Sequence, residues 1–193
     1  AGASEGREGT MQKKSRDKLK QILSRHRARA SNKNIKVYMV HNHPSGVATP
    51  SAPDVKFHND WSAVVNSVDG ATAGDHVIVN AGEYAVMDDD GYTLFDLETH
   101  EALATQEEME ADQGLPWLDE RRQKARERDA ILGRSSRAYA TGVKKEWLSQ
   151  TVDSREAVAR IAKELEVPGD HIGVMIQDSQ LYVRGLMSLP VDE

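Results

Sequence analysis

Two histidines and an aspartate carry the chemistry that this sequence offers. His41 and His43 stand two apart at the end of an apolar run, Ile35-Lys36-Val37-Tyr38-Met39-Val40, and Asp54 follows eleven residues after His43. On an extended strand, alternate residues project from the same face, so both imidazoles point the same way. Pro44, Ser45, Gly46 and Pro50 then turn the chain, and Asp54 returns a carboxylate toward the pair. Two neutral nitrogens and one hard oxygen make the three-ligand set of a hydrolytic zinc site, which keeps a fourth position open for water. A bare His-x-His dipeptide is usually a packing or solvated pair. The turn and the Ser51-x-x-Asp54 spacing lift this one above that background.

At these residues the chain resembles a known family. His41-x-His43-Pro44, the seven residues from Pro44 to Pro50, then Ser51-x-x-Asp54 are similar to the signature of the JAB/MPN (JAMM) metalloproteins. The wording His-Asn-His-Pro-Ser-Gly is that of the RadC-like branch. The resemblance implies Zn2+ held by His41, His43 and Asp54, and cleavage of peptide or isopeptide bonds, hence a peptide or protein substrate. Such a metal lowers the pKa of water toward about 7 and polarises the scissile carbonyl. Ser51 matches the family serine that steadies a developing oxyanion, a role worth roughly 3 kcal/mol of barrier. A turn or helix-cap serine is the plain alternative beside Pro50 and Pro53. The resemblance also implies a general base, a glutamate on the second strand of a hairpin. Counted from Asp178, that position falls at or near Met187, which cannot move protons. Glu193 is the candidate base further along, with Glu5 and Glu8 behind it.

Composition narrows the classes. The 193 residues contain no cysteine, which removes disulfides, thiolate zinc sites and cysteine nucleophiles together. A zinc nucleobase deaminase, whose metal site uses cysteines, is disfavoured on the same ground. No apolar stretch approaches a membrane span and no signal-peptide pattern opens the chain, so a soluble cytoplasmic protein is expected. The net charge of −6 hides an asymmetry: eleven Lys or Arg lie between Arg7 and Lys36, while Phe57 to Glu120 holds sixteen Asp or Glu and no Lys or Arg. Such a split fits two solvated faces or one face docking on the other. The basic run lacks interleaved aromatics and any recognised binding fold, which weighs against a nucleic-acid partner.

The elements around the motif divide into four stretches. Residues 1–10 read as a flexible lead-in. Residues 11–97 hold a metal-binding half: a helix over Arg16 to Ala30 capped by Ser15, the His strand, and a helix over Val55 to Val68 with Phe57, Trp61, Val64 and Val68 on one side. Strands at Asp75 to Val79 and Gly82 to Met87 follow, and Thr93 to Leu97 is a short strand or tail. Residues 98–149 read as an acidic and charged helical connector, with a solvated helix over Asp119 to Leu132. Residues 150–193 give a helix, Arg155 to Glu166, then strands His171 to Ile176 and Leu181 to Met187 about an Asp178-Ser179-Gln180 turn. His58 and His76 read as surface or packing histidines, with His58 one helical turn after Asp54 and able to support the site.

The resemblance implies an α/β (α+β) fold, an MPN/JAB-type mixed sheet flanked by helices. In the family order, the helix and hairpin of 150–193 precede the histidine strand; here they follow it. The expectation is a rearranged order, a circular permutation in which the C-terminal hairpin completes the sheet, or a domain-swapped homodimer in which each chain completes its neighbour. Two unrelated units on a linker is the remaining alternative, and a lone hairpin with one helix buries too little for it. Three functional readings stay open: a JAMM-type metallohydrolase, a scaffold module of a larger phage- or plasmid-type protein that has lost the base, and a DNA-associated RadC-like factor using the basic helix from Arg16 to Arg29.

Overall fold

The computed structural model describes residues 13–29, 34–43, 47–80, 82–111, 115–132, 155–165, 167 and 171–190. The expected lead-in, the turn residues Pro44, Ser45 and Gly46, and the candidate bases Glu5, Glu8 and Glu193 lie outside them. In chain order the elements are α1 (Lys13–Arg29), β1 (Ile35–Asn42), α2 (Ala52–Asn66), β2 (Ala71–Val79), β3 (Glu83–Asp88), β4 (Gly91–Asp96), β5 (Ala102–Thr105), α3 (Gln106–Ala111), α4 (Pro116–Leu132), α5 (Arg155–Leu165), β6 (His171–Asp178) and β7 (Val183–Pro190).

Seven strands form one mixed α/β sheet in the order β5-β4-β3-β2-β1-β6-β7, flanked by helices. β1 runs parallel to β2 and antiparallel to β6, and the remaining neighbours are antiparallel. The parallel step from β1 to β2 requires a crossover, which α2 supplies. The C-terminal hairpin thus lies directly against the histidine strand, in the same chain.

Alternation along β1 sorts its residues between two cores. Ile35, Val37 and Met39 face α1 and α2, packing with Leu19, Leu23, Phe57, Trp61, Val64 and Val65 and with Ile172, Val174 and Ile176 of β6. Val40 faces the other side, where Val158, Ala159, Ile161 and Ala162 of α5 cover Val77, Val79, Tyr84 and Val86. A third cluster joins Ala48 to Ile78, Ala85, Leu94 and Leu118, the last carried by α4. With both faces covered, β1 buries hydrophobic side chains in each direction, and only a central strand can do so.

Several elements depart from their expected bounds for physical reasons. Ser15 is not an N-cap: α1 begins at Lys13 or before, and Ser15, one turn ahead of Leu19, falls on the buried stripe. α2 starts earlier than Val55, because Ser51 caps it in a reciprocal capping box with Asp54 and a proline sits in its first turn. β2 extends back to Ala71, where pairing with Ile35 of β1 outweighs the weak strand propensity of Ala-Thr-Ala-Gly. β4 begins at Gly91, whose φ of +139° closes the turn from β3. Within 98–149, β5 adds an edge strand and α4 reaches the third core cluster through Leu118.

Gly173 marks how closely the hairpin meets β1. A Cβ there would stand 3.1 Å from Val167 Cγ2 and 3.2 Å from the Val40 Cβ. Gly173→Val is therefore expected to lower stability by about 1–3 kcal/mol in urea unfolding, the cost of overpacking a filled site. An unchanged midpoint would mean that β6 does not pack against β1.

Candidate metal centre

β1, the loop after it and the first turn of α2 build the centre. His41 and His43 occupy the end of β1, and the backbone N–H of His43 donates to the Val79 carbonyl at 3.0 Å, fixing that end to β2. Asp54 sits at the third position of α2, 7% exposed, so the capping box that starts the helix also aims its carboxylate. The Ser51 N–H and hydroxyl both donate to Asp54 Oδ2, at 2.8 and 2.9 Å. His43 Nε2 stands 3.3 Å from Asp54 Oδ2, and His41 Nδ1 3.8 Å from Oδ1. One donor atom from each of the three residues lies within 4.8 Å of the others.

A tetrahedral zinc with ligand distances of about 2.0–2.2 Å separates its ligand atoms by about 3.3–3.6 Å. The His43–Asp54 distance meets that separation and the His41–Asp54 distance slightly exceeds it, so a small adjustment of the side chains would seat an ion. The donor set fits as well. His43 Nδ1 lies 3.1 Å from the Val47 carbonyl, which can only accept, so the proton resides on Nδ1 and the Nε2 lone pair faces Asp54.

Electrostatics separates the two imidazoles. Burial holds His41 below its ordinary value, outweighing Asp54, and His43 adds to the lowering. Burial pulls His43 down too, but the hydrogen bond and charge of Asp54 and the Val47 carbonyl outweigh it, and its value is raised. Burial would lift Asp54; the hydrogen bonds from His43 and Ser51 and the imidazole charges overcome it and hold the carboxyl well below the usual range.

His58 and His76 are packing residues, not surface ones. The His76 ring is fully buried between His41 and His58, with centroids 6.1 and 5.9 Å away, and neither of its nitrogens has a partner. Burial, then the neighbouring imidazoles, push its pKa well below the ordinary value. His58 Nε2 meets Asp89 at 3.3 Å, so it reaches the triad through His76 and makes no direct contact.

Ser51 lies beside the triad and is exposed, opening on a cleft of about 500 Å³ whose walls include Val55, His58, Asp89, Asp90 and Tyr92. Met187 is level with Val174 of β6 and Met39 of β1, within the apolar core. At the metal end, Val40 aligns with Gly173 and Gly173 with Ser188, so the described hairpin presents no carboxylate there.

Sequence reasoning missed Glu83 and Arg122. Glu83 is 3% exposed and Arg122 9%, and they form a two-pronged ion pair at 2.7 and 3.0 Å. Glu83 was readable only as one strand position among many; its alternation with the apolar Ala85 and Met87 placed it on the inward face, which is the signal that could have found it.

Two imidazoles and a carboxylate thus converge at the end of a central strand of a mixed sheet, where they could hold a metal ion. Residues 6–92 match the family model of the RadC-like JAB domain. A UPF0758 protein of Latilactobacillus sakei subsp. sakei (strain 23K) is 37% identical over 61 residues, covering 31% of this chain and 26% of that relative. The chain thus matches about a quarter of the relative's length. No solved structure matches.

The pKa pattern makes protons compete with the metal chiefly at His43. Zinc affinity, measured by chelator competition, should fall as pH drops through its raised value, by about tenfold per unit for each proton displaced. In the metal-free protein the sign is opposite. A raised histidine stabilises the fold below 6.5 and loses that contribution as pH rises through the folded value, so the thermal increment from zinc should grow from about pH 5.5 to about pH 8. A pH-independent affinity would remove the assignment of His43.

Proposed function

We propose that this protein is a metal-dependent hydrolase of the JAMM type acting on peptide or isopeptide bonds, with zinc held by His41, His43 and Asp54. The observation that carries the reading is the convergence of those three donors within 4.8 Å of one another, in a chain whose residues 6–92 match the RadC-like JAB family. Zinc there would supply the Lewis acidity that activates water and polarises a carbonyl. Asp54 contributes charge and orientation; the Val47 carbonyl keeps the His43 ring turned with Nε2 toward Asp54. Ser51, fixed as the cap of α2 with its hydroxyl beside Asp54, is the proposed oxyanion donor, and Glu193 the proposed general base. We read the segment order as rearranged relative to the family, a reading supported by the pairing of β6 with β1.

The substrate lies in the cleft beside Ser51. Asp88, Asp89, Asp90 and Glu110 line it and no Lys or Arg does, which favours peptides with basic residues near the scissile bond. A second reading, a metal-binding module that does not hydrolyse, is favoured by the absence of a carboxylate level with the metal end on the described hairpin.

His41→Ala and Asp54→Ala should each abolish the single zinc per chain measured by mass spectrometry. Full zinc content in either variant would sink the ligand assignment. Glu193→Gln should retain zinc and lose about a hundredfold or more in hydrolysis of a basic peptide library, the usual worth of a positioned base. Wild-type protein that holds zinc and cleaves nothing in that library would establish the module instead.

A further inference from the structure

We propose that α4 is a latch on the metal loop, and that Arg122 is a positioning residue which sets zinc affinity without touching the metal. The inference rests on the metal-site reading above. It concerns a helix beyond the stretch that matches the family.

The argument turns on one peptide group. The carbonyl of Val47 takes the proton of His43 Nδ1 at 3.1 Å, which holds the ring with Nε2 toward Asp54. The N–H of that same peptide unit belongs to Ala48 and donates to Glu83 Oε2 at 3.3 Å. A planar trans peptide directs its C=O and N–H oppositely, so gripping one end orients the other. Glu83 is gripped in turn: Arg122 donates Nε to Oε1 at 2.7 Å and a terminal nitrogen to Oε2 at 3.0 Å, and that nitrogen also reaches Thr49 Oγ1 at 3.0 Å. The guanidinium therefore holds the peptide from below, through Glu83, and the next residue of the loop directly.

The setting makes this grip stiff. Both charges are nearly excluded from solvent, where a two-pronged pair has a single favourable geometry. Ala48, fully buried, packs against Leu118 of α4 one turn before Arg122, as well as Ile78, Ala85 and Leu94. Undocking α4 would remove Leu118 from that cluster and the guanidinium from Glu83 together. The Val47–Ala48 peptide would then be free to turn, and with it the tautomer and orientation of His43. Docking of α4 and zinc binding are coupled through that peptide, and such coupling is reciprocal.

The test compares three proteins with the full chain. Glu83→Leu with Arg122→Met removes both charges and leaves no lone ion, an exchange that is commonly neutral for stability. This double variant should melt, metal-free, close to the wild type, bind zinc about ten- to a hundredfold more weakly in chelator competition, and show a changed Co2+ absorption spectrum. Arg122→Lys keeps one charge without the fork and should fall between the two. Lys124→Met, on the exposed side of the same helix, should match the wild type. Zinc should also slow amide exchange along α4 in the wild type and not in the double variant. Wild-type zinc affinity and Co2+ spectrum in the double variant would overturn the proposal while leaving the metal site standing. A wild type that binds no zinc would overturn both.

Discussion

A nearly buried carboxylate facing two imidazoles is the constraint that the rest of this molecule answers. Asp54 has lost most of its water, and an ionised carboxylate so placed has to be compensated. Ser51 supplies two donors to one oxygen, and the imidazoles approach both. With no ion between them, a proton on His43 completes the balance, which is why that histidine alone of the two is raised. A divalent cation would replace the proton with a larger charge at the same place. The helix cap, the carbonyl on His43 and the anchoring of β1 to β2 all serve to keep three donors convergent that would otherwise repel or turn to solvent.

How much of this was legible depended on whether the signal was local. Period-two spacing put His41 and His43 on one face, and Ser51-x-x-Asp54 encoded both the cap of α2 and the third donor. Phe57, Trp61 and Val64 announced the buried side of α2 by their spacing alone. The parts that escaped are non-local. The Glu83–Arg122 pair joins positions 39 residues apart, and each is of a type that is nearly always solvated, so nothing in either neighbourhood marks the partner. His76 was ambiguous for a similar reason: its burial follows from α2 lying over the sheet. The start of β2 was hidden because it is a strand by virtue of its partner, β1, rather than of its own residues.

The position of β1 explains why distant pieces are needed. A central strand requires a neighbour on each side, and β1 obtains β2 after one crossover but β6 only from the far end of the chain. Closing that long connection is costly in entropy and slow, and it is repaid by covering both faces at once: β6 and β7 extend the core beneath α1 and α2, and α5 seals the reverse side. The stretch matching the family covers one face of the sheet with α1 and α2; the other face is covered by α5, and the sheet is extended by the hairpin, both outside that stretch.

The distribution of carboxylates then separates metal binding from proton transfer. Glu83 faces the same side of the sheet as His41, yet both its oxygens are engaged by Arg122 and one also by the Ala48 N–H. To act as a base it would have to break a buried ion pair and release the loop that orients His43, losing the site it was meant to serve. Ser188 pairs through Gly173 with Val40, whose side chain faces α5, so it lies on the face of the sheet away from His41. Among the described residues, the sheet and its helices thus offer donors that could hold a cation but no unengaged carboxylate beside them to accept a proton. Holding a cation and accepting a proton are therefore separate demands, and a chain could meet the first without the second.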